Sequence, residues 1–106
     1  MISWEAELRK LARELLKIYG ALDDDKGYRL KILLTIYENE GISFNELKKK
    51  LKIEEGLLAY HLAVLKATDL IAMEPCRKEI KLSCYRLTEK GKIVRELLSQ
   101  NKTQKS

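Results

Sequence analysis

The chain has one histidine, one proline, one phenylalanine and two cysteines among its 106 residues. A single histidine, with no acid or nucleophile positioned to serve it, cannot make a catalytic triad, and a metal site would need more ligands. No apolar run approaches the roughly 20 residues of a membrane span. The start, Met1-Ile2-Ser3-Trp4-Glu5, lacks a basic stretch leading into an apolar one. No signal peptide is therefore visible, and the cytoplasm is the expected compartment. The length suits one compact domain and excludes a two-domain enzyme with a cleft between its halves. There is no phosphate loop, no nucleophile–base pair, no paired-carboxylate arrangement, no internal repeat and no low-complexity tract. No enzyme is expected, and no cofactor or metal.

What is present is a core-forming, basic sequence. Hydrophobic residues make up 45% and charged residues 35%, enough apolar surface to fold. The 21 Lys and Arg outnumber the 16 Asp and Glu, and the excess is uneven. Residues 1–40 carry 7 basic and 8 acidic groups; residues 41–106 carry 14 basic and 8 acidic. A basic half on a small domain suggests a polyanionic partner. The single proline, few glutamines and many Lys and Glu also fit a thermophile composition.

Residues 2–22 read as a helix. Trp4, Leu8, Leu11, Leu15, Ile18 and Leu22 are spaced 4, 3, 4, 3, 4, a heptad seam widened by Ala12, Leu16 and Tyr19. So wide a stripe on so short a chain favours a dimer arm over packing within the chain alone. Gly20 and the run Asp23-Asp24-Asp25 break the helix, and the aspartates are cap candidates for the next one. Residues 26–39 form that helix, with Leu30, Leu33, Leu34 and Tyr37 on one stripe and Ile32 and Ile36 on a further face, so it is central and buried. It stops at Glu40-Gly41.

Ile42 could add a short edge strand. Ser43-Phe44-Asn45-Glu46 is a capping box opening a short helix over 44–50, with Phe44, Leu47 and Leu51 inward and Lys48, Lys49 and Lys50 outward. A break at Lys52-Ile53-Glu54 leads to a helix over 55–68 with Leu58, Leu62 and Leu65 on its inner stripe. Two short helices joined by a tight turn make a helix-turn-helix pattern. Beyond Asp69, Leu70–Met73 and Leu82–Leu87 have strand character and enclose a charged loop, a β-hairpin. Thr88-Glu89-Lys90-Gly91 opens a last helix with Ile93, Val94, Leu97 and Leu98. The expected fold is mainly α with a small β-hairpin wing, a winged helix-turn-helix with an added N-terminal helix and C-terminal helix. Its divisions are 1–22, an N-terminal dimerisation helix; 23–100, the winged helix-turn-helix domain and C-terminal helix; and 101–106, a polar, disordered tail.

Ala59-Tyr60-His61-Leu62-Ala63-Val64-Leu65-Lys66, followed by Asp69-Leu70-Ile71, resembles the HL-x-x-L-x-x-x-(G/D)-L-I/V signature of ArsR-type winged-helix transcription regulators. Tyr85-Arg86-Leu87-Thr88-Glu89-Lys90-Gly91 is similar to the Y-x-L-T-x-x-G that follows the wing in ArsR and MarR regulators. The resemblance covers residues 26–98. It implies a homodimer joined through terminal helices and bound to double-stranded DNA, with two recognition helices about 34 Å apart on a palindromic site. Metal-sensing members carry cysteines where this chain has Glu54-Glu55-Gly56, so a thiolate metal site is not expected.

Under that reading the helix 55–68 enters the major groove and turns Glu55, Gly56, Ala59, Tyr60 and Ala63 outward. Small side chains permit close approach, and Tyr60 can bond a phosphate or pack on a thymine methyl. No Arg, Asn or Gln lies on this face, so discrimination rests partly on DNA shape. Glu54 and Glu55 serve the helix N-terminus or accept from cytosine. His61 is read either as packed or as a phosphate contact. Lys48, Lys49, Lys50 and Lys52 either solvate their helix or anchor the DNA backbone, and Ser43 with its helix-start amides offers a phosphate site. Arg77, Lys78 and Lys81 on the wing suit the minor groove or flanking phosphates. Trp4, Leu8, Leu11, Leu15, Ile18 and Leu22, with Leu97 of the last helix, form the expected dimer interface.

Cys76 and Cys84 both fall in the hairpin. With its centre near Ile80 they stand directly across from each other on one face, so a disulfide is geometrically open, while two free, partly buried thiols are the default expectation. A bridge there would also allow a redox switch that stiffens the wing. The second functional reading is a winged-helix protein–protein adaptor in transcription machinery, which the acidic start of the helix 55–68 supports. With no small-molecule effector domain evident, ligand regulation would have to act at the dimer interface.

Overall fold

The computed structural model describes residues 4–77 and 82–104. Helix α1 runs over Trp4–Leu22, α2 over Tyr28–Glu38, α3 over Phe44–Leu51, α4 over Glu55–Ala67 and α5 over Glu89–Gln104. Strand β1 is Ile42–Ser43, β2 is Ile71–Pro75 and β3 is Ser83–Leu87. The three strands form one antiparallel sheet in the order β1-β3-β2. The expected hairpin and the short edge strand at Ile42 are both there, with β3 in the middle.

The core lies where α2, α3 and α4 meet the sheet. Ile32, Leu33, Ile36, Leu47, Leu58, Leu65, Leu70 and Leu87 are completely covered. Burying each such side chain contributes roughly 1.5–3 kcal/mol. On α2 the buried set is Ile32, Leu33 and Ile36; Leu30 and Leu34 are half-buried, and Tyr37 faces outward under the Arg95 guanidinium, 4.5 Å from its ring centroid. The stripe through Leu30, Leu33, Leu34 and Tyr37 is therefore not the inner face; the two isoleucines set it. The helix begins later than residue 26 because Gly27 takes a left-handed conformation, and Asp24 caps it from outside by accepting the Tyr28 and Arg29 amides at 2.9 and 3.1 Å.

The motif Thr88-Glu89-Lys90-Gly91 joins α5 to the base of the hairpin. The Thr88 hydroxyl accepts from the Gly91 amide at 3.0 Å and donates to the Asp69 carbonyl at 2.6 Å, while the Thr88 amide donates to the Leu70 carbonyl at 3.1 Å. A Cβ on residue 91 would lie 2.1 Å from the Leu70 oxygen, so only glycine permits this approach.

Helix α1 differs from the rest. Of its 19 residues only Ala21 is buried. Ile18 and Leu22 pack against the chain's own core, so these two members of the expected dimer seam are already partly covered. The remainder is bare: Trp4 is 64% exposed and Leu15 59%, with Leu8, Leu11, Leu16 and Tyr19 also open. An ion pair from Lys90 Nζ to Glu14 Oε1 ties the helix to α5. No helix is long and apolar enough to cross a membrane among the described residues.

Candidate nucleic-acid interface

The surface of interest is built from α3, the turn after it, α4 and the wing. The capping box sets the start of α3. Ser43 Oγ accepts from the Glu46 amide at 3.2 Å, and a Glu46 carboxylate oxygen accepts from the Ser43 amide at 3.1 Å. The bond from Ser43 holds the Glu46 carboxyl below its ordinary range, so it stays charged. Ser43 is 8% exposed, and a carboxylate already occupies the positive end of the helix. These facts correct the expectation of a phosphate site at Ser43: the residue is part of the frame.

Lys52 ends α3 in a left-handed conformation, with its amide donating to the Lys48 carbonyl, and Ile53 drops into the core. This gives the tight turn. Glu54 then caps α4, one carboxylate accepting from the Gly56 and Leu57 amides at 3.0 Å each. Those bonds lower its pKa, so α4 begins with a fixed negative charge. The Gly56 and Leu57 amides are thereby satisfied by a carboxylate that sits where an anion would bind. Glu55 pairs with Lys48 Nζ at 3.2 Å across the turn. Lys49, Lys50 and Lys52 stand exposed beside them.

Helix α4 buries Leu58, His61, Leu62 and Leu65 and turns Glu55, Gly56, Leu57, Ala59, Tyr60 and Ala63 outward. The inner stripe and the outer face both match the sequence expectation, His61 excepted. That side chain is 5% exposed, and its Nδ1 accepts from Arg29 Nε at 3.0 Å. A buried, already bonded imidazole is not presented to DNA, which corrects the phosphate-contact expectation. Burial lowers the His61 pKa; the Asp24 carboxylate opposes this and the Arg29 cation adds to it.

Arg29 is the residue that sequence reasoning missed. It bonds His61, donates from Nη1 to the Ala21 carbonyl at 3.2 Å, and lies 5.6 Å from the Tyr60 ring centroid. Tyr60 itself is 57% exposed. Arg29 and His61 are 32 positions apart, so no local spacing could have paired them.

In the wing, the register pairs Glu74 with Cys84 and Pro75 with Ser83, and the Cys76 amide donates to the Leu82 carbonyl. Cys76 thus stands opposite Leu82 and Cys84 opposite Glu74. Cys76 and Cys84 are diagonal neighbours, not directly opposed, and they form a disulfide with a Cα–Cα distance of 5.1 Å. Both are buried. Arg86 pairs with Glu74 across the strands at 3.6 Å. Arg77 is exposed at the wing's edge; Lys78 and Lys81 lie outside the described residues. Leu97 and Ile93 are exposed on α5. Among the described residues no three His, Cys, Asp or Glu side chains form a metal-holding group.

A helix-turn-helix packed on a three-stranded sheet whose β2–β3 hairpin projects as a wing, with α4 open on its outer face, defines a winged helix-turn-helix protein. Residues 28–97 match the winged helix DNA-binding domain family, and the chain belongs to it. Reduced HlyU from Vibrio cholerae superposes with a TM-score of 0.72 at 28% identity, over 89% of this chain and 94% of that one. The transcriptional regulator HlyU from Vibrio vulnificus gives a TM-score of 0.70 at 27% identity, over 90% and 94%. FabT from Streptococcus pneumoniae, solved in complex with DNA, gives 0.67 at 14% identity, over 94% and 74%, and speaks for the fold alone. No curated protein sequence matches the chain. The fold is that of the HlyU- and MarR-type transcription regulators.

Proposed function

We propose that the chain is a cytoplasmic transcription regulator that binds double-stranded DNA as a homodimer. The observation that carries this reading is the outer face of α4: short side chains at Gly56, Ala59 and Ala63 around Tyr60, flanked by the lysines of α3. Such a face can approach base edges closely while neighbouring cations hold the backbone. Lys48, Lys49 and Lys52 anchor phosphates on one side, and Arg77, Lys78 and Lys81 do so from the wing. Gly56, Ala59 and Tyr60 read the groove. Residues 1–22 act as the dimerisation arm and 23–100 as the DNA-binding body; α5 runs on to Gln104, which corrects the expected disordered tail over 101–106 to a continuation of that helix through residue 104. Trp4, Leu8, Leu11, Leu15 and Leu97 supply the buried contacts between protomers, since they are bare in the single chain.

The second reading is a protein–protein adaptor. It is favoured by the charged Glu54 at the start of α4 and by the lack of Arg, Asn or Gln on that helix's outer face. Titration into a pool of random-sequence duplex DNA at two salt concentrations separates the two. The regulator reading expects affinity that falls steeply with salt, by a slope of about 0.9 per phosphate contacted, and retained sequences with a palindrome. No binding at low salt sinks it and leaves the adaptor.

A further inference from the structure

The contacts of Arg29 join three parts of the molecule. Its guanidinium holds the Ala21 carbonyl at the end of α1, the His61 ring inside α4 and the Tyr60 ring on the outer face of α4. Its own amide is held by Asp24. The arm and the recognition helix are thus tied through a single side chain.

The tie has a protonation requirement. An arginine is always charged and its Nε can only donate. His61 Nδ1 must therefore carry a lone pair, and the ring proton sits on Nε2. A second proton would go to Nδ1 and set N–H against N–H, with a positive charge on each partner. Among the described residues the groups facing the imidazole are Arg29 and the Tyr28 ring from α2, Tyr60 from α4 itself, and the Asp24 carboxylate from the turn between α1 and α2. Asp24 favours the imidazolium, but its oxygens already accept the Tyr28 and Arg29 amides.

We propose that Arg29 is a positioning residue for the outer face of α4, locked in place by unprotonated His61, and that protonating His61 opens the lock and weakens DNA binding. The inference rests on the DNA-binding reading above and adds a regulation to it. The sign is distinctive. A new cation near a DNA-binding face ordinarily raises affinity for a polyanion; here acidification lowers it. Burial places the folded-state pKa of His61 below its ordinary value. The contribution of the neutral ring to stability is therefore complete above the ordinary histidine range and is lost as pH falls through the lowered value. His61 is the sole histidine, so it is the one side chain whose ordinary pKa falls between pH 5 and 7.

Duplex affinity of the full chain is measured from pH 7.5 to 4.5 at constant salt. The expected result is little change through the ordinary histidine range and a decline below it, as pH falls through the lowered His61 value, with tenfold per pH unit per protomer as the limit for one linked proton. His61→Asn places an oxygen near the position of Nδ1 that accepts but does not titrate, so it keeps affinity and flattens the profile. His61→Gln places its acceptor near Nε2 instead, so it loses affinity at every pH. Wild-type affinity that is constant or rises on acidification overturns the proposal, as does an unchanged slope in His61→Asn. The wild-type profile needs no variant, so a misfolded substitution cannot decide the matter. The Arg29 Nε–H resonance of the free protein supplies a readout without DNA, protected from exchange at pH 7.5 and unprotected at the acidic end of the titration, pH 4.5. If it behaves so while no duplex binds at any pH, the DNA reading falls and the lock stands. If it ignores pH, the lock falls whatever DNA does.

Discussion

Helices α1 and α2 follow one another and both are rich in Leu and Ile, yet they meet opposite fates. In 11 residues α2 buries Ile32, Leu33 and Ile36 completely. In 19 residues α1 buries Ala21 alone, and only Ile18 and Leu22 lean on the core. The difference lies in pattern. Helix α2 carries apolar residues nearly all round and can be enclosed by α3, α4, α5 and the sheet. Helix α1 carries them in a single seam with Arg9, Lys10, Arg13, Glu14 and Lys17 on the other faces, a form that needs one flat partner. Periodicity tells that a face requires cover; it does not tell whether the cover comes from the same chain.

That contrast can be broken at several points. The largest effect is expected from Leu11→Asp with Leu15→Asp. Sedimentation should show monomers, with the melting temperature of the body little changed. Affinity for a two-half-site duplex should fall by about 10²–10⁴-fold as the second half-site is lost. If the double variant stays dimeric, α1 is not the arm.

Next is Ile36→Ala, which leaves a cavity in a fully closed core and should cost about 2–5 kcal/mol in urea unfolding. Leu8→Ala in the monomeric background should change stability by less than about 0.5 kcal/mol, because that side chain is exposed in the single chain. Equal losses at the two positions would erase the distinction between the helices. Replacing both Cys76 and Cys84 with Ser should lower stability by about 2–3 kcal/mol, the chain-entropy value for so short a loop, while leaving the dimer intact. The smallest effects belong to the exposed cations. Lys49→Ala and Arg77→Ala should each weaken binding evenly across sequences and reduce the salt slope by about 1. A sequence-dependent loss would make either one a base contact instead.

The same contrast marks how far the sequence could be read. Helix positions, the capping box, the hairpin and the inner stripe of α4 all follow from local spacing, and they are found where the spacing puts them. The errors arise where two distant segments decide. Local spacing leaves His61 open between a packed ring and a phosphate contact, because nothing local announces Arg29 behind it; the fold selects the packed ring. The capping box is legible at Ser43, but only the folded geometry shows that the Glu46 carboxylate holds the place of a phosphate there. Cross-strand register is a property of both strands together, and it sets Cys76 opposite Leu82 rather than Cys84. The default of two free thiols gives way to the bridge, since diagonal neighbours also come within reach of a disulfide. Tyr37 sat on an apparent stripe that the two isoleucines outcompete for the interior.

The close approach of Gly91 to Leu70 has a mechanical consequence. One carbonyl receives the Thr88 amide and leaves no room for a Cβ at position 91, so the first turn of α5 and the foot of the hairpin form a rigid joint. Any side chain at position 91 would have to push apart the first turn of α5 and the start of β2, so a change there would be felt in both elements at once.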